Sequence, residues 1–569
     1  MKKPSFGKKS APAEAEESGY PPPPAPAAAP DADGAPAPAR PAGRSGGSRT
    51  TQSLLAAAAV LAVVFGISEV RPPAAPATGD TGASATTAQV ERTAAVCPQP
   101  LQGLTGSTTL TAYTPPGTGA ATGGAGWLSD ASAPATPPTA APSAPATPSA
   151  PATPAPTGSA APDKGGAPAD ARLTLAKPGT PVSAPAANAD TAPGTGALAT
   201  GALAPGFTVS QTTTVTEQRG LGLSGVTCTP AGTSFWFAGA STAGDRTDYV
   251  SLVNTESSAA VVDIKLYGDK GPIDNDAANG ITVAPGSSQS ILLPTLTKGP
   301  VTDLAVHVVA RSGRLGAFLH AADGSKGADW IPSSVEPAPT QVLPGLPADT
   351  SAARLVVWAS PDDDADLKIQ LSGKNGWFTP AGNESIHVKA GMVAAVDLGK
   401  VTRDEVAGLR LSPSDDKHPT PVVAGVRIDR AGSNGKSDAA WLTGSAPVGA
   451  RATVADNRAG ASTLFLTSTG DAATVHVTAS AGSNGGTPVT KDVQVPAGAT
   501  VAVPAPEPGG LNGSFALTVE TASGGPVVAA RMLAIPAKDV PMFTVQALRD
   551  DRSTVKVPQA SQDPGVVQR

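Results

Sequence analysis

The chain has 569 residues, with 63 Gly, 60 Pro and 4% aromatic side chains, too few large apolar groups for all of it to pack cores. Its 40 basic and 46 acidic residues give a net charge of −6 without a long basic run, which excludes the electrostatic footprint of a nucleic-acid binder.

Residues 1–49 are rich in Pro, Ala and Gly, with Pro21 to Pro24 in a row. Such a segment buries too little to offset the entropy of ordering and reads as a disordered cytoplasmic tail. Residues 50–68 carry no charge, and Leu54 to Ile67 are almost continuously apolar. As a helix this stretch spans about 28 Å, enough to cross a bilayer. Arg40, Arg44 and Arg49 precede it, and only Arg71 follows before Arg92. The asymmetry predicts a single-pass membrane protein with a cytoplasmic N-terminus and an extracellular C-terminal bulk. Ala75-Pro76-Ala77 leaves signal cleavage and secretion as the alternative.

Residues 69–96 read as a stalk. The chain's two cysteines, Cys97 and Cys228, both lie outside the expected membrane and flank a Pro/Ala/Thr-rich tract. A disulfide between them is expected, with two separate buried thiols as the alternative; closing so long a loop stabilises by on the order of 4–5 kcal/mol in the chain-entropy model. The tract, residues 114–205, reads as a disordered insertion in a first β domain formed by 97–113 and 206–340. Its segment Ser132 to Gly158 repeats a short Ala-Pro-Thr unit suited to solvated polyproline II.

From about Ser234 the sequence breaks into short alternating runs separated by Gly, Pro, Asn and Asp, and one pattern occurs three times. TDYVSLVN, VVDIKLYG, LAVHVVA and RLGAFLHA in the first copy match ARLVVWAS, LKIQLSG, GLRLSP and VVAGVRID in the second. They also match STLFLTST, TVHVTAS, FALTVET and VVAARMLA in the third. Gly286, Gly391 and Gly498 recur at one position, and Ala317, Ala424 and Ala529 at another. Strict alternation, as in Ile264/Leu266 against Asp263/Lys265, predicts strands with one buried face. The fold class expected is all-β: three tandem Ig-like β-sandwich repeats after one N-terminal transmembrane helix, with long disordered Pro/Ala-rich segments. The second and third β domains take 341–450 and 451–550, and 551–569 form a disordered tail.

The apolar segment, Cys97-Pro98, Cys228-Thr229-Pro230, Phe235-Trp236-Phe237-x-Gly239 and the triplicated region together resemble an actinobacterial family, family 5719 of domains of unknown function. The resemblance covers roughly residues 50–113 and 206–548. It implies a membrane-anchored or secreted cell-envelope protein with no assigned catalytic residues.

Motifs for chemistry are weak. Gly220-Leu221-Gly222-Leu223-Ser224-Gly225 matches a dinucleotide fingerprint, but the β-prone Val226-Thr227-Cys228 follows where a helix must begin. A Gly-rich turn is the better reading. His307, His320, His387 and His476 fall on polar strand positions that the other copies fill with unrelated residues, and His418 lies in a loop; all five read as surface histidines. Asp274 to Gly280 lacks the glycine position and the bidentate Glu of a calcium loop, and Asp362, Asp363, Asp364 and Asp366 read as a solvated turn. Trp330 and Trp441 occupy one repeat position, which favours packing over sugar stacking for the set Trp236, Trp330, Trp358 and Trp441. Trp377 and Phe378, after a Gly-Lys-Asn-Gly turn, are the better candidates for an exposed contact.

The sequence therefore predicts a non-enzymatic, membrane-anchored binding or scaffold module of the cell envelope. No catalytic residue, metal ligand or cofactor is expected, and the partner would be an envelope protein or a glycan. The alternatives are an accessory subunit of a cell-wall or glycan-assembly enzyme, and a hydrolase using the Asp362–Asp366 loop.

Overall fold

The computed structural model describes residues 86–101, 106–117, 123–131, 167–187, 191–216, 221–324 and 326–557. Among them no helix is long and apolar enough to cross a membrane. The expected transmembrane segment 50–68, the cytoplasmic tail and the Ala-Pro-Thr repeats lie outside the described residues.

The described residues are almost entirely antiparallel β-structure, arranged as four sandwiches of one strand order. In each, one sheet takes the first, sixth, third and fourth strands side by side, and the other the fifth, second, seventh and eighth. The first sandwich runs from Arg92–Cys97 to Gly222–Thr227, the second from Ser234–Ala240 to Ala328–Ile331. The third runs from Gln341–Leu346 to Ser437–Thr443, the fourth from Arg451–Asn457 to Phe543–Leu548. In the second and third sandwiches the fourth position is shared by two short strands, both pairing with the third.

Alternation along the strands does what it predicts. Val262, Ile264 and Leu266 join the core of the second sandwich, and Leu367, Ile369 and Leu371 that of the third. The recurring Gly286, Gly391 and Gly498 have φ of 57°, 69° and 63°. They occupy the turn before each fifth strand, where a left-handed backbone favours glycine.

Four expected boundaries are corrected. The tract 114–205 is not one disordered insertion: Gly126–Asp130, Leu173–Leu175, Val182–Ala186 and Thr195–Thr200 are strands of the first sandwich, whose apolar cluster includes Leu110, Leu128, Leu173 and Val209. The first β domain drawn as 97–113 plus 206–340 is accordingly two sandwiches. Nor are 69–96 all stalk and 551–569 all tail. Arg92–Cys97 opens the first sandwich, and Thr86–Gln89 pairs with Thr554–Val557 in a two-stranded ribbon that brings the ends of the fold together.

The sandwiches close into a ring. The first strand of the second packs on Val422–Ala431 of the third, and that of the third on Val527–Ala534 of the fourth. The first strand of the fourth packs on Thr208–Val215 of the first. Val96, in the first strand of the first sandwich, shares an apolar cluster with Val253, Phe318 and Trp330 of the second, which completes the circuit. Glycine permits the approach at these seams: a Cβ on Gly425 would lie 2.1 Å from the Ala238 carbonyl oxygen, and one on Gly345 2.9 Å from the Ala530 Cβ.

Each eighth strand also packs against those of its two neighbours, so four strands enclose a common axis. Asp438 sits there fully buried. Its carboxylate accepts from Ala439 N–H at 2.9 Å and, in the fourth sandwich, from Phe543 N–H at 2.9 Å. The backbone of Leu223 in the first sandwich and of Ala328 in the second bonds to it as well. One side chain thus links all four sandwiches. Asp329 lies nearby, its Oδ1 accepting from Gly225 N–H and Trp330 N–H, each at 2.8 Å. Burial pushes the Asp438 carboxyl up to about 8; burial also drives Asp329 well above the usual carboxylate range, with the charge of Asp438 adding to it.

The glycines first read as a turn have their reason at this axis. Gly222 and Gly225 lie in a strand, and Cβ atoms there would meet Asp438 Oδ1 at 2.8 Å and Thr544 Cγ2 at 2.7 Å.

Candidate functional site

In the third sandwich the third strand, Ala365–Gly373, turns through Lys374 and Asn375 into Gly376–Phe378, pairing Ser372 with Trp377 and Leu371 with Phe378. Successive strand residues face opposite ways, so the two aromatic candidates separate. Trp377 turns to the seam with the fourth sandwich, where a Cβ on Gly498 would lie 2.8 Å from its Cδ1 and the Arg410 guanidinium stands 4.2 Å above its ring. Beside it Ser372 Oγ donates to the Gly498 carbonyl and Thr500 Oγ1 donates to Ser372 Oγ, both at 2.8 Å. Trp377 is a packing residue of that seam, which corrects its reading as an exposed contact.

Phe378 is 45% exposed. It borders a hollow of about 240 Å³ between the loop Thr379 to Asn383 and the turn from Leu398 to Arg403. Buried Pro380, Leu398 and Val401 give the hollow apolar lining, and Asn383, Lys400 and Arg403 add polar groups. Lys400 pairs with Asp404 at 2.8 Å. Arg403 and Asp404 follow each other at φ 50° and 65°, a left-handed conformation that non-glycine residues adopt at a cost of about 1–3 kcal/mol each.

The second sandwich provides an internal comparison. Its matching hairpin pairs Leu266 with Ile273, the position of Phe378, and Ile273 packs against the core. The connection that follows contains a 3-10 turn, Asp276–Ala278, with Ala278 buried in the cluster that holds Leu293 and Leu296. In the third sandwich Ala381 of the shorter connection is exposed and the hollow lies beside it. The second sandwich thus fills with Ile273 and Ala278 the position beside which the third leaves a hollow.

The Asp362–Asp366 loop borders a second hollow of about 430 Å³, lined by Asp362, Asp363, Asp364, Ala390, His418 and Thr420. His387 Nδ1 is 2.8 Å from Asp366 Oδ1, and Ala390 N–H donates to Asp364 at 2.8 Å. Among the described residues no group of three or more His, Cys, Asp or Glu is placed to hold a metal ion. In the loop Asp274 to Gly280, Asn275 accepts from Ala277 N–H and caps the 3-10 turn.

Two histidines depart from the surface reading. His320 is buried, with neither ring nitrogen hydrogen-bonded among the described residues, and burial pushes it down to about 3. His307 stacks on Trp236 at 3.8 Å between ring centroids, with Trp358 at 4.4 Å from Trp236 in turn; burial, with Lys265 nearby, lowers it to about 4. Trp236, Trp330, Trp358 and Trp441 are all buried, and the guanidiniums of Arg246 and Arg427 lie 5.3 and 5.5 Å from the Trp441 ring centroid. Cys97 and Cys228 form the disulfide, within the core of the first sandwich.

Sequence reading located Phe378 but missed Asn383, Lys400 and Arg403, which only folding brings to it. The axial Asp329 and Asp438 had no motif to reveal them.

Strand order and shared seams define an all-β protein assembled from sandwiches of a single topology. The chain belongs to the family of unknown function DUF5719, whose model matches residues 182–506, from the fifth strand of the first sandwich to just beyond the fifth of the fourth. No curated protein and no solved structure matches it.

Proposed function

We propose that the protein is a membrane-anchored, extracytoplasmic binding or scaffold module of the cell envelope, without catalytic activity of its own. The observation that carries this reading is the Cys97–Cys228 disulfide, because such bonds persist in oxidising compartments and this one lies beyond the apolar segment 50–68. A closed ring of sandwiches with shared seams suits a module that presents a fixed surface, and the hollow beside Phe378 offers one place for a partner to engage.

The test is fractionation of the native cells, with added protease, thiol titration and sequencing of the mature N-terminus. An oxidised protein in the membrane fraction, cleaved by external protease and retaining residues 50–68, supports the proposal. A chain released without those residues would make it a secreted binder, and a reduced, cytosolic protein would overturn the reading.

A further inference from the structure

We propose that the hollow beside Phe378 is a saccharide site for a sugar unit bearing a carboxylate, such as a hexuronic acid. This names the ligand class of the binding module proposed above and rests on that reading.

Size argues first. A stable protein interface buries on the order of 1,200 Å² or more with several large side chains at its centre. Here Phe378 is the exposed aromatic; the other large exposed apolar residues, Leu292, Val489, Val555 and Val557, belong to other strands. A hollow of about 240 Å³ lies just below the roughly 300 Å³ at which small-molecule sites usually begin, a size for a single sugar ring with the rest of a chain outside it.

Chemistry argues next. A pyranose has an apolar face of C–H groups and a rim of hydroxyls. Phe378, with Pro380, Leu398 and Val401, matches the face, and the Asn383 amide and Thr379 hydroxyl match the rim. Burying ring C–H groups against the aromatic is favourable and tolerates little misplacement.

Charge selects the sugar class. The charged groups lining the hollow are Lys400 and Arg403. Nearby acids are engaged: Asp404 with Lys400, Glu405 with Lys374 at 2.6 Å, and Asp397 with Arg354 at 2.6 Å, while Glu384 accepts from Gly382 N–H at 2.8 Å. Arg403 forms no ion pair among the described residues. Its guanidinium is therefore available to a carboxylate in the bidentate geometry that lysine cannot offer.

The comparison with the second sandwich points the same way. There Ile273 and Ala278 cover the matching region; here an aromatic stands out over a gap.

The experiment titrates purified full-length protein by calorimetry with a glucuronic-acid tetrasaccharide, an equally long neutral glucose tetrasaccharide and an acidic tetrapeptide. The uronate is expected to bind at least about tenfold tighter than the neutral sugar, the scale of one charge-assisted hydrogen bond. Arg403→Gln should remove that preference and Phe378→Ala should abolish binding of both sugars. Phe378→Tyr, which keeps the ring, should retain it. No uronate binding, equal binding of the two sugars, binding untouched by Phe378→Ala, or tighter binding of the peptide each overturns the proposal. Circular dichroism of each variant verifies the fold. Purified protein binds or fails to bind wherever the cell places it, so failure here leaves the localisation test standing, and the reverse also holds.

Discussion

The ring axis and the rim of the third sandwich both gather polar groups, but in opposite ways. At the axis Asp438 is enclosed and bonded by backbone from all four sandwiches, so its surroundings are full. At the rim Arg403 and Asn383 border an open hollow, and their side chains make no hydrogen bond or ion pair among the described residues. The difference separates polar residues that hold repeats together from polar residues that one repeat carries alone. In a repeated fold, the position at which one copy departs from its siblings is the better place to look for recognition.

Substitutions should separate the two regions most sharply. Asp438→Ala strands buried N–H donors at the point where four sandwiches meet and should cost about 3–5 kcal/mol, read as a shifted urea midpoint; a loss under about 1 kcal/mol would mean the axis is not the structural centre. Next in size, Gly222→Ala should cost about 2 kcal/mol, because its Cβ would press on Asp438 Oδ1.

The axis should also respond to pH. A folded carboxyl raised to about 8 contributes stability that is full below its unfolded value near 3.8 and lost as pH rises through 8. His320 and His307, lowered to about 3 and 4, act oppositely: their contribution is full above about 6.5 and lost as pH falls towards those values. Stability should therefore rise as pH falls from 8 to about 6.5 and then level or decline. Asp438→Asn should make the alkaline limb shallower, with Asp329 supplying what remains of it, and a monotonic fall in stability from pH 8 downwards would refute the assignment. Smallest of all, Phe378→Ala and Arg403→Gln should change stability by less than about 0.5 kcal/mol, as exposed positions usually do. A larger loss would turn the rim into a structural site and erase the contrast.

Much of the second, third and fourth sandwiches was legible, because their strands alternate Val, Ile and Leu with polar residues and their turn glycines recur. The first sandwich was not. Gly106–Tyr113 reads GSTTLTAY and Thr208–Val215 reads TVSQTTTV, with buried hydroxyls facing one another, as Thr108 and Thr213 do at 2.8 Å. Thr and Ser buried on both faces leave no apolar rhythm, and residues 132–166 interrupt the unit. At the candidate site Phe378 was visible through its turn, but Trp377 beside it followed the alternation into a seam that no local pattern announces. The axis was illegible because strands from four distant parts of the chain build it.

The ribbon of Thr86–Gln89 with Thr554–Val557 gives the ring a mechanical property. Thr86 pairs with Val557 and Gln89 with Thr554, so the chain enters and leaves side by side, and traction on the N-terminal segment opens this zipper one rung at a time before it reaches the sandwiches. Unravelling then continues along Arg92–Cys97 and halts at Cys97, where the covalent bond to Cys228 transfers the pull to the far end of the first sandwich. A load on the leading segment can spend the ribbon and one strand, and beyond that it must move the first sandwich as a block.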